Sequence, residues 1–186
     1  TTLGEAAKKA YATASLPPGM EPGLHERAAF SPVGATFPNG CHACEVEIDP
    51  ETGALQILRY VVVDDVGTVM NPLLLKGQIH GGVAQGVGQI NMEGIVWDGE
   101  TGQQLSGSFM DYCMPRALDF PFFDVHSNPV PTALNPLGIK GAGEAGTVGA
   151  MPCLMNAIID ALGARGVHDL DMPATPHRIW RALQGG

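Results

Sequence analysis

A chain of 186 residues and 19.4 kDa has the size of one domain and is long enough to bury roughly two-thirds of its extended surface. At 45% hydrophobic residues it is not a disordered chain, and no run reaches ~18 uninterrupted apolar residues, so no membrane span is expected. Lys and Arg number 10 against 19 Asp and Glu, and the resulting charge of -9 repels a phosphate backbone, which argues against nucleic acid as a partner.

Charged residues are only 16% of the chain, against ~25% in a typical domain, while Gly (25) and Pro (15) are numerous. That balance is expected where much of the surface is covered by another part of an assembly. The chain opens on Thr1 without an initiator Met and without the basic-then-apolar start of a signal peptide. A missing upstream segment and a cytoplasmic location are therefore expected.

In chain order, Thr2 and Glu5 have capping-box spacing, which predicts a short helix over LGEAAKKAYATASL stopped by Pro17 and Pro18. Residues 1–40 read as an approach segment rich in Pro and Gly, and 41–186 as the core. Ala43–Asp49 and Ala54–Asp65 are β-rich runs around PETG, a predicted hairpin whose second strand should be mostly buried. Asn71 and Pro72 supply an N-cap and an N1 proline for a helix through LLLKGQIHGGVAQGVGQINME. Its five glycines cost about 4–5 kcal/mol of propensity relative to Ala, so close backbone approach to another element or a ligand must recover the loss.

GIVWD and QQLSGSFMDYCMP read as further strands, FFDVHSN as another, and VGAMPCLMNAIIDALGA as a helix ended by Gly163 and Gly166. Thr175 caps a last helix, TPHRIWRAL. Strands and helices mix without strict βαβ alternation, so the fold class is α+β, with mixed-sheet hairpins and packed helices.

Cys41 and Cys44 form one CxxC, but neither a second pair nor an HxxxH completes a zinc set. They read as small, half-buried residues at a strand entrance, and no side chain is assigned as a metal ligand. Gly141, Gly143 and Gly146 spell GxGxxG in GAGEAG, yet a proline-rich run precedes it where a dinucleotide fingerprint needs a buried strand. Glu144 is the unusual member of that loop. A helix N-terminus favours its charged form and burial would oppose it, a balance suited to a general base, although an ordinary N-terminal Glu shares the pattern. Gln78 carries an amide able to donate and accept on the glycine-rich helix. His80 beside it invites a ligand or acid–base reading, weighed against a simply hydrogen-bonded His since no second His lies at i+4. Asp64, Asp65 and Asp111 read as turn or strand-end residues.

The ordered motifs VVVDDVGTVMNP, GQIHGGVAQGVGQ, LSGSFMDYCMPRALDFP, NPLGIKGAGEAGT with NAIIDALG, and DMPATPHRIW together resemble the molybdenum hydroxylases: the large subunits of xanthine dehydrogenase, aldehyde oxidoreductase and carbon monoxide dehydrogenase. The resemblance runs from Thr36 to near the end and implies the C-terminal part of the molybdopterin-binding region, residues 1–186, with the upstream half of the large subunit absent. It implies that Glu144 is the base and that Gln78 contacts the pterin. Gly81 and Gly82 would allow close approach, with His80, Gly141 and Gly143 in the same cofactor site. The implied cofactor is molybdopterin with molybdenum, expected as the cytosine dinucleotide, with iron–sulfur and FAD centres in partner subunits and a dimer of heterotrimers overall. The implied reaction oxidises an aldehyde or N-heterocycle with water as the oxygen source. Val66 replaces the Cys of the relatives' DDCG and reads as a packing change. Two rivals stand beside this reading: an NAD-dependent oxidoreductase built on GAGEAG, and a non-catalytic isolated fragment.

Overall fold

A computed structural model describes residues 1–185 of the chain as two compact units, one spanning Thr1–Val33 and one beginning at Gly34. Residues 34–40, expected in the approach segment, thus belong with the second unit. The first unit holds helix α1, Leu3–Ala10. Thr2 Oγ1 accepts the Glu5 N–H at 3.3 Å and Glu5 accepts the Thr2 N–H at 2.8 Å, the reciprocal capping expected from their spacing. The helix stops six residues before Leu16 and gives way to a short turn over Thr13–Ser15. None of its residues is buried, and a helix without a packed face has little to extend it beyond its cap.

The second unit is built on a three-stranded sheet ordered β1-β2-β3: β1 is Asn39–Ile48, β2 Leu55–Asp65 and β3 Asp124–Ser127. β1 and β2 pair antiparallel and β2 and β3 parallel, so the sheet is mixed, in an α+β arrangement. Their hairpin closes at Asp49, whose carboxylate accepts the Glu51 N–H and the Thr52 hydroxyl, and Gly53 takes the φ of +71° that the turn requires. β2 is buried on one face rather than throughout. Leu58 has no partner between Glu45↔Arg59 and Val46↔Ile57, so it is a bulge, and the bulge lets Ile57 and Tyr60 share the core face with Val62 and Asp64.

Two expected strands do not form. Trp97 and Gln104 make one isolated bridge around the Asp98–Gly102 turn, and the rest of 94–115 is irregular. Ile95, Val96, Trp97 and Leu105 are all exposed, so this hairpin lacks a face to pack on.

Helix α2, Pro72–Val87, starts where Asn71 Oδ1 accepts the N–H groups of Leu73 and Leu74, both at 3.1 Å, and it continues as a wider turn over Gly88–Met92. Helix α3, Ala145–Gly163, begins three residues before the expected Val148, with Glu144 as its N-cap. Helix α4, Pro176–Leu183, is capped by Thr175. By length and composition α3 could cross a membrane, but Leu154, Ile158 and Leu162 on its inner face sit in the core with Tyr60, Val83 and Ile179.

Candidate active site

The glycines of α2 divide into two sets. A Cβ on Gly82 would lie 2.8 Å from Thr147 N and 3.0 Å from Gly146 Cα, and one on Gly86 would lie 2.7 Å from Ala150 Cβ. Reciprocally, a Cβ on Gly146 would lie 2.6 Å from the Ile79 carbonyl oxygen. These positions let α2 and α3 cross backbone to backbone, and Thr147 Oγ1 donates to the Gly82 carbonyl at 3.1 Å. Part of the propensity loss is therefore recovered by helix-on-helix contact rather than by the sheet. Gly77 and Gly81 face the other way, and a Cβ there meets no atom within 4 Å.

That crossing brings the two motifs together. Gln78 precedes Ile79 by one residue, Glu144 precedes Gly146 by two, and both side chains are exposed. Gly141 and Gly143, also exposed, leave the loop before Glu144 open, with no atom within 4 Å of where a side chain would start. The burial expected around Glu144 is not found in this chain. Gly82 lies in the α2–α3 contact, buried, while Gly81 is on the open side.

Lys140 secures the approach to Glu144. Its Nζ lies 2.5 Å from Asp65 Oδ2, its N–H donates to the Val66 carbonyl, and Asp65 Oδ1 also accepts the N–H groups of Gly67 and Val130. Asn135 receives the Ile139 N–H at 3.0 Å and donates to its carbonyl at 2.9 Å. Asp65, expected as a strand-end residue, is thus the anchor of the GIKGAGE loop. The Lys140 hydrogen bond, with those from Val130 and Gly67, lowers its carboxyl from an ordinary 3.8 to about 2. A carboxyl lowered on folding contributes stability that is present above about pH 4 and is lost as pH falls through 2. Lys140→Met, which removes the largest cause, should move the acid unfolding midpoint to higher pH, as followed by circular dichroism. An unchanged midpoint would mean that the loop is held by its backbone bonds alone.

Glu144 lines a cleft of about 570 Å³ between the start of β1 and the first two turns of α3, together with Phe37, Gly40, His42, Asp64 and Cys153. The sequence reading passes over His42 and takes Asp64 only as a turn or strand-end residue. CHAC drew attention to its cysteines, yet His42 is the residue pointing inward, with its side chain 3% exposed. On a strand, positions three apart face opposite ways, so Cys41 is exposed and Cys44 half-buried, and they do not act as a pair. Cys44 Sγ instead donates to the Cys153 carbonyl at 3.6 Å. The Cys153 thiol is lowered to about 7, chiefly by hydrogen bonding with Cys44, with burial opposing and Tyr60 and His42 adding. Among the described residues no group of three or more His, Cys, Asp or Glu could hold a metal ion. Val66 is 4% exposed, in line with a packing role.

His80 is half-buried between Lys76 and the rings of Phe122 and Phe123, whose centroids lie 6.0 and 5.1 Å from its own. Burial, then the Lys76 charge, lowers its pKa below the ordinary value and favours the neutral ring. Its Nε2 is buried without a hydrogen-bond partner among the described residues.

A mixed sheet with two glycine-crossed helices, an acid at the head of one and an amide on the other, has no parallel strand leading into GAGEAG as a dinucleotide fold requires. Comparison with known proteins gives the class. The chain is 36% identical over 183 residues to the carbon monoxide dehydrogenase large chain of Hydrogenophaga pseudoflava, covering 98% of this chain and 22% of that one. It is 37% identical over 169 residues to the nicotine 6-hydroxylase large subunit of Paenarthrobacter nicotinovorans, covering 91% and 21%. Among solved structures, carbon monoxide dehydrogenase from Oligotropha carboxidovorans matches with a TM-score of 0.88 at 34% identity, over 100% of this chain and 23% of that chain. Quinoline 2-oxidoreductase from Pseudomonas putida 86 matches with a TM-score of 0.86 at 38% identity, over 96% and 22%. The sequence model of the molybdopterin cofactor-binding domain matches residues 1–121, and the chain belongs to that family. It spans about a fifth of the length of these curated relatives.

Proposed function

We propose that this chain is the C-terminal cofactor-binding part of a molybdenum hydroxylase large subunit, with Glu144 as the catalytic base. The observation that carries the reading is the Gly82–Gly146 crossing, which brings GQIHGG and GAGEAG to one place. Four glycines of these two motifs, Gly77, Gly81, Gly141 and Gly143, have no packing reason within this chain to lack a side chain. Open space at four such positions fits a bulky polar cofactor such as molybdopterin.

In this reading Gln78 holds the pterin edge through an amide that both donates and accepts, and Gly81, Gly141 and Gly143 let the cofactor approach the backbone. His80 contributes a neutral ring nitrogen. Gly82 serves by keeping α3 against α2, so that Glu144 faces the cofactor. When bound, the cofactor supplies the two-electron redox chemistry that no side chain can. Glu144 accepts a proton at its carboxylate from the attacking water, which raises the nucleophilicity of that oxygen toward an electron-poor carbon. The substrate class is an aldehyde or N-heterocycle.

The same reading extends to the cytosine dinucleotide form of the cofactor, to an upstream half of the large subunit and to iron–sulfur and FAD partner subunits. The assembly is a dimer of heterotrimers in the cytoplasm. The nicotinamide alternative is disfavoured by the loop itself, because Ile139 makes only an isolated antiparallel bridge to Gly67 and no parallel strand leads into GAGEAG.

The test is metal analysis of the assembled enzyme. Gly81→Val should lower molybdenum content severalfold while leaving the helix crossing alone, since its side chain meets nothing in this chain. Full molybdenum content in that variant would remove the close-approach argument.

A further inference from the structure

His42 occupies a position that packing alone does not explain. Its Nδ1 lies 2.9 Å from the Tyr60 hydroxyl and its Nε2 lies 3.5 Å from Asp64 Oδ1. Tyr60 is fully buried and Asp64 is 2% exposed, with Gly40 the only kind of residue that leaves room for the carboxylate. The 3.5 Å pair is too long to count as a good hydrogen bond. Neither His42 Nε2 nor Asp64 Oδ2 has a hydrogen-bond partner among the described residues. Orphaned buried polar atoms cost stability, so a merely structural core would be better served by apolar side chains here.

The ring bears on α3. A Cβ on Gly149 would lie 2.6 Å from His42 Cε1 and Nε2, so Gly149 is required by the ring beneath it. Gly149 follows the first hydrogen-bonded turn of that helix, which begins with the Val148 N–H donating to the Glu144 carbonyl at 2.9 Å. His42, Asp64 and Glu144 line the same cleft. The sheet therefore sets the height of the first turns of α3 through one rigid ring, clamped from behind by a tyrosine and flanked by a carboxylate.

We infer that His42, held by Tyr60 and flanked by Asp64, is the positioning residue for Glu144. It fixes where the head of α3 stands above β1 and hence where the carboxylate meets the reacting atoms. The inference rests on the proposal that Glu144 is the base. It needs no contact between His42 and the substrate, because the influence passes through Gly149 and the helix backbone.

The experiment uses the assembled enzyme and two variants acting from opposite sides. Tyr60→Phe removes the hydroxyl that holds Nδ1 but keeps the buried ring, and Gly149→Ala presses a methyl group onto His42 from the helix. Each should raise deuterium exchange at the Val148–Ala150 amides and lower kcat by about ten- to a hundredfold, the penalty of an ångström-scale misplacement, with KM within about twofold and molybdenum content unchanged. In a Glu144→Gln background neither should lower the residual rate further, since the residue through which they act is gone. Unchanged exchange and kcat in both single variants would overturn the inference. So would losses that multiply fully with that of Glu144→Gln, which would mark a structural role. Near-normal turnover in Glu144→Gln alone would overturn the base assignment, and the exchange data would still decide whether His42 positions the helix.

Discussion

Glu144→Gln in the assembled enzyme is expected to lower kcat by ~10²–10⁴, the range typical of losing a general base, with molybdenum content close to wild type. The substitution preserves size and most hydrogen bonding. Glu144 is exposed as the N-cap of α3 and makes no side-chain capping bond, so its replacement should leave the helix intact. Steady-state turnover alongside metal analysis separates the two effects. Rate loss that tracks cofactor loss would make Glu144 a binding residue, and a near-normal rate with full cofactor would return it to an ordinary helix-terminal acid.

The largest structural effect is expected at the helix crossing. Gly146→Val puts a branched side chain where the Ile79 carbonyl already lies 2.6 Å from the first added carbon, and Gly82→Val meets Thr147 N and Gly146 Cα. The opposing atoms are backbone, so the helices must separate rather than a side chain rotate. Each change should cost about 3 kcal/mol, the upper part of the usual overpacking range, and on the order of 10 °C in Tm for a chain of this size. Gly77→Ala is the internal contrast. It meets no atom within 4 Å, so relief of glycine entropy should stabilise α2 by about 0.5–1 kcal/mol. Thermal unfolding of the three variants checks the signs, and a neutral Gly146→Val would contradict the crossing.

The parts legible in the sequence are those whose signals are local. Asn71 followed by Pro72, and Thr175 followed by Pro176, announce helix starts because cap and N1 proline act within one turn, and both helices begin there. The β1–β2 hairpin follows equally from PETG between two β-rich runs. The GIVWD and QQLSG runs misled for the opposite reason. A strand also needs a neighbour and a buried face, and neither is written in five residues.

The site divides in the same way. Glu144, Gln78 and the glycines stand in motifs, so the sequence singles them out, but glycine density alone cannot say that Gly82 and Gly86 meet α3 while Gly77 and Gly81 stay open. His42, Tyr60 and Asp64 come from two strands and meet only when the hairpin closes. Tyr60 and Asp64 share the core face by plain strand alternation, which does not say what crosses to them, and His42 is hidden inside a CxxC. Lys140 and Asp65, 75 residues apart, are joined by the return of the loop to the end of β2.

The proposed place of the cofactor is where α2 and α3 cross, with Glu144 beside its metal. Anomalous diffraction at the molybdenum absorption edge, from crystals of the assembled enzyme, locates the metal directly. The expected peak lies next to the Glu144 carboxylate, near enough for a hydrogen bond made directly or through one water to a group on the metal, with Gln78 and Gly81 on the pterin side. A molybdenum peak beyond the reach of Glu144, or on the side of α2 away from Gly81, would rule out Glu144 as the base and this crossing as the cofactor site.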